Sequence, residues 1–363
     1  MKIAIICSGL VHRGGIERVV LELVKFFKAD IITGEYNSSD TFDEFFNFNL
    51  KVLYKGELPQ RIKSIVIKNK FRSLNLDYDF YIFVGGGSCL GASRKNKPNL
   101  WWCCAPTIWL YSTSKQDLAR LNPLKRALIK LLFPVLKKID KKNVSNIDEI
   151  ISISENVKQR VKEVYGRNSE IIFPFVDTDK FKFINYGDFY LSSARLTPDK
   201  RVDIIIKAFQ KMPSKKLIVS GGGSELENIR KMAKGYDNIE VLGWISDERL
   251  AELYGKSIAT IATSYYEDFG MIAVESMAAG KPVIASKDKG FAETIIDGKT
   301  GYLIEPSVPE VIKSVERLTK EKAKSMRDFC EKRAQEFSLK SFLEKFDKKV
   351  KERLNEHSRI LER

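Results

Sequence analysis

Residues 267–275 read Glu-Asp-Phe-Gly-Met-Ile-Ala-Val-Glu and run on into Ser276-Met277-Ala278-Ala279-Gly280-Lys281-Pro282-Val283-Ile284-Ala285. A carboxylate precedes a glycine turn, a helix opens after the turn, and a second carboxylate falls in its first turns. The apolar run Val283 to Ala285 after Gly-Lys-Pro reads as a buried strand, and Ile258 to Ala262 before the turn reads as another. Strand, turn, helix and strand in that order belong to a parallel α/β layer. Free amides around Phe269 to Met271 can meet phosphate or sugar oxygens, while carboxylates accept hydrogen bonds from hydroxyl pairs. Acids placed at a helix start for its dipole would explain one such glutamate, but not the whole constellation.

The same alternation extends outward in both directions. Strands are expected at Ile3 to Ile6, Ile31 to Thr33, Phe80 to Val84 and Ile150 to Ile153, then at Phe189 to Ser192, Leu217 to Val219 and Ile239 to Val241. The pattern restarts near residue 170, where Ile171 to Phe181 joins the halves and Pro174 breaks any continuous element. A length of 363 residues suits two domains, each with its own core. A charged helix from Leu339 to Arg363 closes the chain. The opening MKIAIICSGLV reads as a first strand rather than a signal peptide, because it leads directly into a loop and an amphipathic helix. No stretch approaches the roughly 18 apolar residues of a membrane span. Five cysteines, an odd number without metal-ligand spacing, fit a reducing compartment, so a cytoplasmic location is expected.

The net charge of +15 is concentrated. Residues 51–142 hold 19 Lys or Arg against 5 Asp or Glu, so almost the whole excess lies in that quarter of the chain. An anionic lipid surface, a phosphorylated acceptor or a nucleic acid would answer it, as would plain solvation. Within this quarter Leu118, Leu121, Leu124, Leu128, Leu131, Leu132, Val135 and Ile139 fall on one helical stripe, with Arg126, Lys130, Lys137 and Lys138 largely opposite and Pro134 as a kink. Such a stripe either packs on the first sheet or lies against anionic lipid.

Several turns could hold an anion. Gly14 and Gly15 lie between the first strand and its helix, where open amides or a simple tight turn are equal readings. Gly85-Gly86-Gly87-Ser88 carries the same ambiguity. Neither is G-x-G-x-x-G, which removes the best support for a nicotinamide enzyme. In the second half, Arg195 and Lys200 stand five residues apart at a strand end, two fixed cations suited to a diphosphate. Gly221, Gly222 and Gly223 form a turn between strand and helix that permits close backbone approach.

These residues together resemble the retaining glycosyltransferase family 4, of the GT-B fold. The resemblance rests on Glu267 paired with Glu275, the Arg195-Leu196-x-x-x-Lys200 segment, the glycine turn and GFAETIIDGKTGYLI (290–304). GGIERVV and ISISENVKQRVKEVYGRNSEIIFPFVDTDKF extend it over nearly the whole chain. It implies two Rossmann-like domains facing each other across a cleft: an acceptor-binding domain at 1–172, joined by a returning helix at 340–363, and a donor domain at 173–339. It also implies that Arg195 and Lys200 hold the donor's diphosphate, Glu275 the ribose and Glu267 a hydroxyl of the transferred sugar. Phe269, Gly270 and Met271 would offer amides, the base would lie near Trp244 and Ile245, and Gly14 and Gly15 would approach from the other domain. The segments YLSSARLTPDKRVDIIIKAF and EDFGMIAVESMAAGKPV look most like the branch that transfers mannose from GDP-mannose, a UDP-sugar being the other donor. The acceptor would be a glycan or lipid-linked molecule at an anionic membrane surface, with no nucleic-acid partner.

The chain departs from that pattern on the acceptor side. Cys104, ahead of Pro106, stands where relatives carry a histidine, Ile108 where they carry an arginine, and Phe173 precedes the linker proline in place of another histidine. Either the acceptor pocket is rebuilt, or the chain is a sugar-nucleotide or glycan-binding protein with impaired turnover; an epimerase or hydrolase of the same fold is a further alternative. Asp77-Tyr78-Asp79 and Asp177-Thr178-Asp179 have the D-x-D form of metal-using transferases but fall before a strand and in the linker, so no metal cofactor is expected.

Overall fold

The computed structural model describes every residue except 59, 86, 88, 112–122 and 362–363. Gly86, Ser88, Leu118 and Leu121 therefore lie outside the described residues, as do the side chains of Leu124, Leu128 and Leu131. The chain divides into two compact units, one of Met1–Ile172 with Leu343–Arg363 and one of Phe173–Phe342.

The first unit is built on seven parallel strands: β1 (Ile3–Cys7), β2 (Asp30–Thr33), β3 (Leu50–Val52), β4 (Phe80–Val84), β5 (Asn99–Cys103), β6 (Glu149–Ser152) and β7 (Glu170–Ile171), in the order β3-β2-β1-β4-β5-β6-β7. Every residue of β1, β4 and β5 is buried, as parallel strands covered by helices on both faces require. Ile5 sits between Ile31 and Ile82 in register. Three strands were not anticipated. β3 is interrupted by Lys51, β7 has two residues, and β5 follows Lys97-Pro98 and opens on Asn99, which looks polar in sequence. Asn99 is nevertheless buried because its amide spans the sheet edge, donating to Asn96 O at 2.9 Å while its Oδ1 accepts Asp148 N at 2.9 Å. The last helix, Leu339–Leu361, reaches this unit through buried Phe346, 6.4 Å from the Phe27 ring, and through Lys349, which pairs with Glu170 at 2.5 Å and Glu149 at 3.4 Å.

The second unit repeats the plan with β8 (Phe189–Ser193), β9 (Lys216–Ser220), β10 (Ile239–Gly243), β11 (Thr260–Ala262), β12 (Val283–Ser286) and β13 (Gly301–Ile304), ordered β10-β9-β8-β11-β12-β13. β13 was not anticipated, because a glycine opens it. Gly301 is required there: a Cβ would lie 1.9 Å from Val283 O. In each sheet the chain order reverses at the centre, between β1 and β4 and between β8 and β11. Loops leaving the carboxyl ends of such a pair splay apart and leave a ligand crevice.

Lys281, in the turn before β12, is fully buried. Its ammonium donates to Asn185 O at 2.5 Å and lies 3.8 Å from the Tyr186 ring centre and 4.2 Å from that of Phe183. Burial above all, then the Arg327 and Lys320 charges, pulls its pKa down to about 7. The unfolded chain, with an ordinary lysine, therefore binds the extra proton between about pH 7 and pH 10, and stability rises with pH across that window. Urea denaturation should show wild type gaining stability from pH 7 to pH 9 relative to Lys281→Met; parallel profiles would contradict this.

Candidate functional site

The segments 194–201 after β8 and 263–270 after β11 flank the reversal point of the second sheet. The β8 segment is laced to its neighbours by backbone bonds. Ala194 N donates to Ser220 O at 3.2 Å, Leu196 N to Gly222 O at 2.8 Å, Glu225 N to Leu196 O at 2.9 Å, and Gly221 N to Gly243 O at 2.8 Å. Two glycines make this possible. Gly221 has φ +119° and a Cβ there would meet Ala194 O at 2.0 Å; Gly223 has φ +150° and a Cβ would meet Leu196 O at 2.3 Å. Gly222 serves differently, since its missing side chain makes room for Trp244, whose Nε1 would be 1.9 Å from a Cβ. The Trp244 indole lies across the turn and remains 78% exposed, with Ile245 half-buried after it.

Across the reversal point, Thr263 Oγ1 donates to Arg201 O at 2.9 Å and Tyr265 N to Asp199 O at 2.8 Å. Arg201 holds a left-handed backbone, φ 49°, with its guanidinium 4.2 Å over the Tyr265 ring. Lys200 Nζ donates to Glu267 Oε2 at 2.8 Å, both side chains being mostly enclosed. A salt bridge thus joins the two loops, while Arg195 stays exposed. Gly290 lets the next helix start close to Glu267, whose carbonyl oxygen would be 2.4 Å from a Cβ.

Phe269 turns inward. Its ring stacks on Phe173 at 5.6 Å and meets Phe337 edge-on at 5.4 Å, so its contribution to any ligand is its backbone. Gly270, at φ 87° and ψ 54°, then opens the helix Met271–Ala278 with no side-chain cap. Amides at such a start point outward with the positive end of the helix dipole. Glu275 lies one turn further on. Its Oε2 accepts the phenolic hydroxyl of fully buried Tyr254 at 2.9 Å. Burial, then the Glu275 charge, holds that phenol well above its ordinary pKa, so it is a fixed donor. Tyr254 escaped the sequence reading, because within ERLAELYGK it looks like an ordinary apolar helix position; its only signal is a hydroxyl where an aliphatic residue would pack.

The arrangement gathers Arg195, Lys200, Gly221, Gly223, Trp244, Ile245, Glu267, Gly270, Met271 and Glu275 along one sheet edge of the second unit. It offers cations and amides for phosphates, two oriented carboxylates for hydroxyls, and an indole surface. The remaining sequence candidates belong to the first unit. Gly14 caps the helix Gly15–Phe27 after β1 in an extended conformation, with Glu17 Oε2 2.7 Å from a Cβ placed on it. Cys104, half-buried, and Pro106, buried, follow β5. The two D-x-D segments have local duties: Asp177 Oδ1 accepts the amides of Asp179 and Lys180 at 3.1 and 3.2 Å, and Asp79 accepts Lys2 N at 2.6 Å.

Two of these glycines make a graded test. Gly221→Ala forces a side chain into backbone from a disfavoured φ and should cost about 2–4 kcal/mol. Gly222→Ala meets an exposed indole that can swing into solvent, and should cost under about 1 kcal/mol. Urea denaturation compares them; equal losses would contradict the packing described.

Comparison with known proteins places these features. Residues 177–337 match the family model described as Glycosyl transferases group 1. An uncharacterized glycosyltransferase of Methanocaldococcus jannaschii is 32% identical over 68% of this chain and 66% of its own length. Against two further curated relatives the match spans 49% and 44% of their lengths, so the chain covers about half to two thirds of such proteins. Among solved structures, sucrose-phosphate synthase from Thermosynechococcus elongatus superposes with a TM-score of 0.77 at 18% identity, over 97% of this chain and 98% of that one. An Anabaena protein in complex with UDP-glucose gives 0.71 at 16%, over 97% and 100%. At these identities the structural likeness is one of fold. The chain therefore has the GT-B fold, and its residues 177–337 match the Glycosyl transferases group 1 model.

Proposed function

We propose that this chain is a glycosyltransferase that moves a hexose from a nucleoside diphosphate to a hydroxyl of a glycan or lipid-linked acceptor, with retention at the anomeric carbon. The observation that carries the reading is the Lys200–Glu267 salt bridge, set between the glycine turn and the helix that Gly270 opens. An arriving diphosphate draws Lys200 toward itself, with Arg195 as second cation, and Glu267 is released to a hydroxyl of the transferred sugar. Glu275, steadied by Tyr254, takes the ribose hydroxyls. The bond from the anomeric carbon to the diphosphate breaks, the bond to the acceptor oxygen forms, and the acceptor proton passes to a donor phosphate oxygen. Catalysis is then mainly electrostatic stabilisation of the leaving group.

The sequence segments around Arg195 and Glu267 favour GDP-mannose, whereas the Anabaena structure holding UDP-glucose favours a UDP-sugar. A thermal-shift screen of sugar nucleotides decides between them, because the true donor raises Tm by mass action. Glu275→Ala should weaken the best ligand about tenfold or more through loss of charged hydrogen bonds. Equal affinity would remove the ribose assignment. A binding protein without turnover, the reading suggested by Cys104, is supported if the donor stabilises the fold but no nucleotide is ever released.

The acceptor side is proposed to lie at an anionic membrane surface. No helix among the described residues is long and apolar enough to cross a membrane. In the helix Pro123–Ser145, however, Leu132 and Val135 are 44% and 56% exposed, and Lys137, Lys138 and Lys141 line a cleft of about 680 Å³ with Tyr111. Exposed apolar side chains beside clustered ammoniums suit a headgroup boundary. The protein should float with anionic liposomes at low salt and be released at high salt; absence from the liposome fraction at low salt would overturn the proposal.

A further inference from the structure

The first unit holds a second concavity that the donor site does not account for. It is a cleft of about 500 Å³ at the carboxyl ends of β1, β2 and β3, on the opposite side of the first sheet's reversal point from Cys104. Glu35, Tyr36, Asn37, Asp40, Tyr54 and Lys63 line it together with His12. Its walls are fixed by backbone bonds between the loops: Leu10 N donates to Glu35 O at 2.9 Å, Asn37 N to Leu10 O at 3.0 Å, and Tyr54 N to Gly34 O at 3.1 Å. The cleft is thus formed before any ligand arrives.

Its chemistry is selective. Glu35 is paired with Lys63, and Asp40 accepts the Asn37 amide at 2.7 Å, so the carboxylates are oriented. Two acids are matched by Lys55 and Lys63, leaving no net charge to favour a phosphate. Two tyrosines add aromatic surface, the Tyr36 ring being braced edge-on by Phe46 at 5.8 Å. Oriented carboxylates, an amide and tyrosines around a neutral cleft are what hydroxyl pairs and the apolar face of a sugar ring require.

We infer that this cleft is a carbohydrate subsite for an uncharged sugar ring. That the ring belongs to the acceptor rests on the transferase reading; that a sugar binds here does not. The test is saturation-transfer NMR on the full chain with methyl α-mannopyranoside and methyl α-glucopyranoside, alongside inorganic phosphate as competitor. Saturation should reach the ring protons of at least one glycoside, with or without nucleoside diphosphate, and phosphate should not displace it. Asp40→Asn should weaken binding about fivefold, the worth of one lost hydrogen bond, and Tyr36→Ala by a similar factor through loss of the ring that faces the sugar. Asp40→Asn keeps the side-chain shape at an exposed position and so reports on binding even if Tyr36→Ala unfolds. No transfer to either glycoside, displacement by phosphate, or transfer indifferent to Asp40→Asn would overturn the inference. Glycoside binding in a chain that no sugar nucleotide stabilises would leave the subsite standing and remove the transferase reading instead.

Discussion

The salt bridge between Lys200 and Glu267 depends on the reversal of chain order between β8 and β11. Because β8 and β11 are neighbours in the sheet, the loops that follow them, distant in sequence, start side by side, and Lys200 and Glu267 meet 67 residues apart and 2.8 Å in space. Lys200 also lies 4.0 Å from Asp199 Oδ2 on its own loop, so the ammonium stands between two carboxylates. A partly enclosed ion pair of this kind adds little to stability, since desolvation offsets much of the attraction. Its value lies in holding an ammonium and a carboxylate ready, each already stripped of much of its water.

Around that pair the backbone is held to close tolerances. Gly221 and Gly223 place the β9 turn against the β8 loop, Gly290 brings the next helix against Glu267, and the aromatic cluster of Phe173, Phe269 and Phe337 fixes the approach to Gly270. Tyr254 holds Glu275 from beneath. Apart from Phe269, these supporting groups lie outside the paired-glutamate motif.

The fold class was legible because buried parallel strands announce themselves as continuous apolar runs, and nine of the thirteen were found that way. The others fail that signature for individual reasons: a lysine within β3, an asparagine opening β5, the brevity of β7, a glycine opening β13. The polar groups of the second unit were legible because Arg195, Lys200, Glu267 and Glu275 lie beside turns whose glycines mark them. What could not be read was pairing. That Glu267 meets Lys200, that Glu275 meets Tyr254 and that Phe269 faces inward are long-range facts with no local periodicity. The cleft of the first unit was hidden for the same reason, being assembled from three loops of unremarkable composition. The substitution at Cys104 drew the sequence reading toward β5, whereas the polar residues Glu35, Asn37, Asp40 and Tyr54 that line the cleft follow β2 and β3.

On the proposed function, the loops that follow β8 and β11 act on a sugar nucleotide. The most direct measurement is release of nucleoside diphosphate from the best-stabilising sugar nucleotide, followed without acceptor so that water is the only nucleophile. Wild type should release nucleotide slowly but measurably, and Lys200→Met and Arg195→Met, each shown to be folded, should be slower by about 100-fold or more through loss of leaving-group stabilisation. Release at the wild-type rate in both variants would contradict it.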